Sequence, residues 1–233
     1  MAGFIPGLSG LLIKKAVSDV DQISSVNIGF LQNINAKAGL TGILDMLALV
    51  NQDITTKEND KRLSGFTKKR RMEFLPSFKQ KEVRLIEHPE KLFIEMKLGI
   101  RNIRYWTAWN NNAFNRVISS LKQFHLIDFI LNMKQKKILS TVVKHNPNKP
   151  EHAFLTVEVK GIVGGQKCIK TLALSVFSDY HATAMVTAAL AKIASEKNLK
   201  GVLFPFEMTN LDEILSIMDC EEIALEKKII YFN

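Results

Sequence analysis

The stretch AFLTVEVKGIVGGQKCIKTLALSVFSDYHATAMVTAALAKIAS, residues 153–195, decides the fold. Ala153 to Lys160 and Lys167 to Phe177 alternate apolar and polar residues and read as two strands. Gly161-Ile-Val-Gly-Gly-Gln between them reads as a hairpin turn. These glycines lack the Gly-x-Gly-x-x-Gly spacing and lead into a strand, so they cannot aim a helix N-terminus at a pyrophosphate. The second strand ends at a polar corner, Ser178-Asp179-Tyr180-His181, and a helix follows from about His181 to Ser195. Met185, Val186, Ala189, Leu190 and Ile193 form its apolar stripe. Ala182, Ala184, Ala188 and Ala191 are small enough for close packing against a sheet.

Outward from there, Ala2 to Ile13 reads as a Gly/Pro loop running into a helix, with Ser9 as its expected N-cap. Val26 to Leu31 alternates like a strand, and Gly39-Leu-Thr-Gly opens a helix with Ile43, Met46, Leu47 and Val50 on one face. Residues 51–69 are polar and read as a long surface loop. Arg70 to Leu75, Glu82 to Glu87, Phe93 to Lys97 and Ile103 to Trp109 are strand candidates. Asn110-Asn111-Asn112 signals a helix start, and helical pieces are expected to about Phe124 and over Leu126 to Leu139. Lys144 to His152 is a connector with two prolines. Gly201 to Phe206 is a short apolar segment, Leu211 to Met218 a final helix capped by Asn210 or Thr209, and Glu222 to Phe232 a last strand.

The element order predicts an α+β (mixed α/β) class: one mixed, largely antiparallel sheet covered by helices, with a helical excursion near 111–140. The 233 residues are expected to form a single domain, the excursion 111–143 being an insertion. No apolar run approaches the roughly 20 residues of a membrane helix. Lys14 and Lys15 follow the first apolar stretch instead of preceding it, which is not the order of a signal peptide. Two cysteines, Cys168 and Cys220, make no disulfide framework, and the expected location is cytoplasmic, without membrane association. Net charge is +9, concentrated in part between Lys57 and Arg71 and at Lys134, Lys136 and Lys137. Such clusters attract anions, but no nucleic-acid-binding motif accompanies them, and no nucleic-acid partner is expected.

Chemistry is sparse in the motifs. The five histidines never stand at i, i+4 spacing and no Cys pair joins them, so no metal site is expected. Gly7-Leu-Ser-Gly misses the nucleophile-elbow spacing by one position. The corner at 178–183 is richer. A strand ends and a helix begins there, so free N–H groups face a carboxylate or phosphate. Tyr180, His181 and Thr183 add side-chain donors, and His181 can titrate near neutral pH. The alternative is that Asp179 caps the helix and Tyr180 packs in the core.

In sequence order, Ala2-Gly-Phe-Ile-Pro-Gly-Leu-Ser-Gly-Leu-Leu resembles the segment that follows the nucleotide domain in saccharopine dehydrogenase-like oxidoreductases. Asp179-Tyr-His-Ala-Thr-Ala with its Ala-rich helix, and Gly201-Val-Leu-Phe-Pro-Phe-Glu, resemble the family's C-terminal segments. Glu73-Phe-Leu-Pro-Ser-Phe and the hairpin from Thr156 to Val176 fall between them in the same order. The resemblance spans nearly the whole chain through short motifs, and it departs at Lys79-Gln80, where the family often has glycine.

The resemblance implies the substrate-binding and dimerisation part of an NAD- or NADP-dependent enzyme acting on an amino-acid C–N bond. The Rossmann domain would be missing or separately encoded, so the chain would be inactive alone and hold no cofactor by itself. The Pro6-Gly7 loop would lie beside the nicotinamide and the 178–183 corner would face the substrate. Arg71, Arg104 and Trp106 would line the same cavity, an arginine binding the substrate carboxylate. A homodimer is expected. A stand-alone, non-catalytic binding or scaffold protein derived from that domain is the alternative.

Overall fold

Alternation over β1 (Gln22–Gln32) places a strand at the centre of a seven-stranded sheet, and the rest of the molecule is arranged on it. The structure is a computed structural model and describes residues 2–55, 62–133, 145–219 and 223–232. The chain runs α1 (Leu8–Val17), β1, α2 (Leu40–Asn51), β2 (Asp53–Thr55), β3 (Arg62–Ser64), β4 (Lys69–Phe74), β5 (Lys79–Ile86) and α3 (Glu90–Leu98). It continues through β6 (Ile103–Trp109), α4 (Asn112–Gln123), α5 (Leu126–Asn132), β7 (Ala153–Val163) and β8 (Gln166–Val176). The last elements are α6 (Asp179–Glu196), α7 (Pro205–Met208), α8 (Leu211–Met218) and β9 (Ala224–Phe232).

The sheet order is β4-β5-β6-β1-β7-β8-β9. Only β1 and β6 run parallel; every other pairing in it is antiparallel. The class is α+β, with a mixed, largely antiparallel sheet, as the element order predicts. The β7–β8 hairpin is longer than expected. Both strands run on to a two-residue turn at Gly164-Gly165, each at positive φ, and Gly161 lies inside β7.

The helices cover one face. α1 is apolar around almost its whole circumference, and Leu8, Leu11, Leu12 and Ile13 are each fully buried. It lies against β7 and β8, with α3, α7 and α8 over its other sides. The opposite face is closed by the sheet itself, which curls until its edge strand β4 lies across β7 and β8. Met72, Phe74, Val83, Leu85 and Trp106 fill that second, smaller core. Ion pairs seal the seam. Arg70 of β4 grips Glu158 of β7 at 2.7 and 2.9 Å, and Lys228 of β9 holds Glu73 of β4 at 2.8 Å.

Four local expectations change. Phe93 to Lys97 belongs to α3, a helix that follows Pro89 and ends at Gly99 in the left-handed region. Ser9 is not a cap: Gly7 holds the cap position, and Ser9 is buried in the first turn. The expected loop at 51–69 contains a short ribbon, β2 with β3. The basic run is partly structural, since Lys69 and Arg70 pair with Glu82 and Glu158. Lys57, Lys61, Lys134, Lys136, Lys137, Cys220 and the end of the second helical piece lie outside the described residues.

One buried carboxylate ties the N-terminal loop to this frame. Glu90, at the start of α3, is 2% exposed. Its Oε1 accepts the Gly7 N–H at 3.0 Å; its Oε2 accepts the Ser9 hydroxyl at 2.6 Å and the Tyr105 hydroxyl at 2.9 Å. The Gly10 N–H also points to it. A carboxylate thus fills the N-terminus of α1, where unpaired N–H groups and the helix dipole favour negative charge. Burial pushes the Glu90 carboxyl up, against the pull of these donors. His88 stacks on Tyr105 at 4.8 Å, and burial pushes it down to about 4, so it stays neutral and accepts the Glu90 N–H.

Glu90→Ala would strand two hydroxyls and the Gly7 amide in the core, a loss on the order of 3 kcal/mol or more. A drop in melting temperature of about 10 °C is expected. Tyr105→Phe, which removes a single partner, is expected to cost about 1 kcal/mol. Equal losses in the two variants by thermal denaturation would show that Glu90 does not organise the cluster.

Candidate functional site

The N-terminal loop and the corner after β8 meet. Phe4 N–H donates to Thr183 Oγ1 at 3.1 Å, and Thr187 Oγ1–H donates to the Ala2 carbonyl at 2.5 Å. Gly3 closes the loop by donating to the Pro6 carbonyl at 2.9 Å. The Ile5-Pro6 peptide is cis, and Gly7 has φ 131°, a conformation that favours glycine. Phe4 and Ile5 of this loop and Asp179, Tyr180 and Thr183 of α6 together face a cavity of about 480 Å³.

The other walls come from four elements. α2 contributes Ile43, Met46 and Leu47; the end of β1 contributes Phe30 and Gln32. Trp109 at the end of β6 and Phe114 and Ile118 of α4 close the far side. Trp109 and Phe114 meet edge to face at 5.0 Å, and Phe4 meets Phe30 at 5.6 Å in the same manner. The rim is the segment after β1. Asn35 braces it by accepting the Asn146 N–H at 2.8 Å and donating to the carbonyls of Asn146 and Lys149 at 3.0 Å each. α4 is set by Asn111, whose side chain caps it through the Phe114 N–H at 3.0 Å.

Tyr180 is one of the polar groups of the cavity, with Asp179, Thr183, Gln32 and Asn33. It is 40% exposed, so it is not a core residue. Its hydroxyl lies 2.4 Å from where a Cβ on Gly42 would stand, so any larger residue at 42 would make the ring shift. Asp179 sits beside it as the first residue of α6; Ser178 holds the cap position. One Asp179 oxygen accepts the Tyr180 N–H at 2.9 Å, which uses a donor that the sequence reading left open for a ligand anion. Burial pushes the Asp179 carboxyl up to about 6, and the nearby Glu151 charge adds to the rise. Burial also raises Tyr180, helped by the charges of Asp179 and Asp45.

The expected site residues therefore divide. Tyr180 and Thr183 line the cavity. Pro6 and Gly7 belong to the loop at its edge, with Gly7 buried against Glu90. His181 is exposed outside it, its ring 6.4 Å from Phe177. Arg71, Arg104 and Trp106 are not in the cavity wall. Arg71 and Arg104 are exposed on strands of the curled half. Trp106 is buried in the second core, bonded to Asn27 at 2.9 Å and covered by the Arg70 guanidinium. Alternation along β6 is the physical reason: Tyr105 faces the helices, so Arg104 and Trp106 face away. Gln32, Trp109, Phe114 and Gly42 also border the site, and no motif in the sequence marks them. Their apolar spacing marks helix and strand faces but not which face stays open. Among the described residues no group of three His, Cys, Asp or Glu is placed to hold a metal ion, and no helix is long and apolar enough to cross a membrane.

Because Asp179 is held above its unfolded value near 3.8, its charge opposes folding. That penalty is absent below the unfolded value, grows as pH rises from about 4 to 6, and is complete above it. Asp179→Asn is therefore expected to raise the melting temperature at pH 7.5, with less than half of that gain remaining at pH 4.5. A gain that does not change with pH would place the effect elsewhere. In comparison with known proteins, no family model matches the chain, and no curated protein is significantly similar to it.

Proposed function

We propose that the chain is the substrate-side and dimerisation domain of an NAD(P)-dependent, saccharopine dehydrogenase-like oxidoreductase that acts on a C–N bond of an amino-acid-like compound. The observation that carries this reading is the junction of the two resembling segments. The Pro6 loop and the Tyr180 corner are separated by more than half the sequence, yet they bond directly and border one cavity. Its volume of about 480 Å³ and its largely apolar walls suit a small organic ligand.

The cofactor part of the reading sets a limit on what these residues do. A nicotinamide supplies the hydride when bound. The residues beside Pro6 do not fit the phosphates of its dinucleotide, because Glu90 already fills the N-terminus of α1. Binding of the dinucleotide would therefore rest on a Rossmann domain outside the described residues. This chain's contribution is to hold the acceptor, orient it and exclude water from it. The homodimer of the same reading is supported by the free edge of β9, where Ile230, Tyr231 and Phe232 stand 42%, 50% and 46% exposed.

Trp109 reports on the cavity directly. Saturable quenching of its fluorescence by small C–N compounds is expected, with loss of the signal in the variant Ala36→Leu, because Ala36, in the segment after β1, lines the cavity and a larger side chain there fills it. NADPH is not expected to bind the chain below micromolar concentration. Sub-micromolar NADPH binding, or quenching that Ala36→Leu leaves untouched, would contradict the reading. Light scattering at micromolar concentration is expected to show a dimer; a monomer would remove the dimerisation role.

A further inference from the structure

The cavity and its surroundings reverse the sign of the protein's charge. The chain carries a net +9, yet no lysine or arginine among the described residues lines the cavity. Its charged wall group is Asp179. Glu151 and Asp45 add negative field at the same end, acting on Asp179 and Tyr180 respectively. Glu151 is partnered: it accepts the Ser178 hydroxyl at 3.2 Å and lies 3.3 Å from the His145 imidazole. Asp179 is not matched in this way. It accepts a backbone N–H, and no ion pair joins it to a cation among the described residues.

A carboxylate brought to this end would meet a like charge in a poorly hydrated site. An ammonium would meet the Asp179 carboxylate and the Tyr180 hydroxyl oxygen. Elsewhere on the wall, Met46, Trp109, Phe114 and Ile118 offer hydrocarbon contact. We propose that this cavity binds the amine-bearing, apolar portion of its ligand, with the ammonium against Asp179 and Tyr180 and the hydrocarbon against Trp109 and Phe114. A carboxylate on the same ligand is left outside the cavity. This inference rests on reading the cavity as the substrate site, and it replaces the carboxylate-binding arginine that the resemblance implies.

A matched pair of ligands tests it. Calorimetric titration of the chain at pH 7.5 compares 3-phenylpropylamine with 3-phenylpropionate, which share a body and differ in the sign of the head. The amine is expected to bind at least about tenfold more tightly, a difference of about 1.4 kcal/mol. Asp179→Asn is expected to bring the two within about threefold, while Asp212→Asn, at an exposed pair with Lys15, leaves the preference intact. Equal or tighter binding of the acid, or a preference that survives Asp179→Asn, overturns the charge selection and spares the cavity. Failure of both compounds to bind at millimolar concentration overturns the cavity reading together with it.

Discussion

A carboxylate buried in the first turn of a helix is the constraint from which the rest follows. Glu90 joins the start of α3, the Tyr105 hydroxyl of β6 and the N-terminus of α1 in one cluster. Two neighbouring elements, α3 and β6, are thereby fixed to a third that lies more than eighty residues earlier in the chain, by hydrogen bonds in a place that water does not reach. With Gly7 held, the loop before it has one course to follow, and that course runs along the first turns of α6. The wall of the cavity next to Phe4 is thus positioned by a group that does not itself line it.

Charge is distributed by the same economy. Several cations of this basic chain pair on the sheet and its seam, Arg70 with Glu158, Lys228 with Glu73, and Lys170 and Lys227 with Asp19, and others pair along the helices, as Lys15 with Asp212 and Lys197 with Glu213. The cavity side receives none of them. Asp179 is left in an apolar setting with the Glu151 charge near it, and its elevated carboxyl group follows from burial more than from that neighbour. A global +9 therefore says little about the field that a ligand meets at a particular opening.

Strand alternation was legible where the two faces differ, as at β1 and the β7–β8 hairpin, and caps were legible where the side chain itself bonds the backbone, as at Asn111 and Asn210. α3 was not, because Ile94-Glu95-Met96-Lys97 alternates apolar and charged residues like a strand, and Leu92 and Met96 are exposed, so no apolar helix face stands out. The parallel pairing of β1 with β6 is a long-range contact that local pattern does not encode. At the site, the corner at Asp179-Tyr180 was visible as a strand-to-helix junction, and its proximity to the Pro6 loop was suggested only by resemblance. Arg71, Arg104 and Trp106 were misplaced because their side of the sheet depends on register and curl, and both are decided by packing. Glu90 was invisible for a similar reason: its partners at Gly7 and Ser9 lie more than eighty residues away.

Amide hydrogen exchange at Gly7 and Phe4 tests the central constraint most directly, because both N–H groups belong to a loop yet bond to distant side chains. If Glu90 fixes the loop in the core, the Gly7 amide exchanges as slowly as the central amides of β1, through global unfolding. The Phe4 amide follows it within a modest factor. Exchange of Gly7 at the rate of an open surface loop, while β1 remains protected, would contradict that constraint.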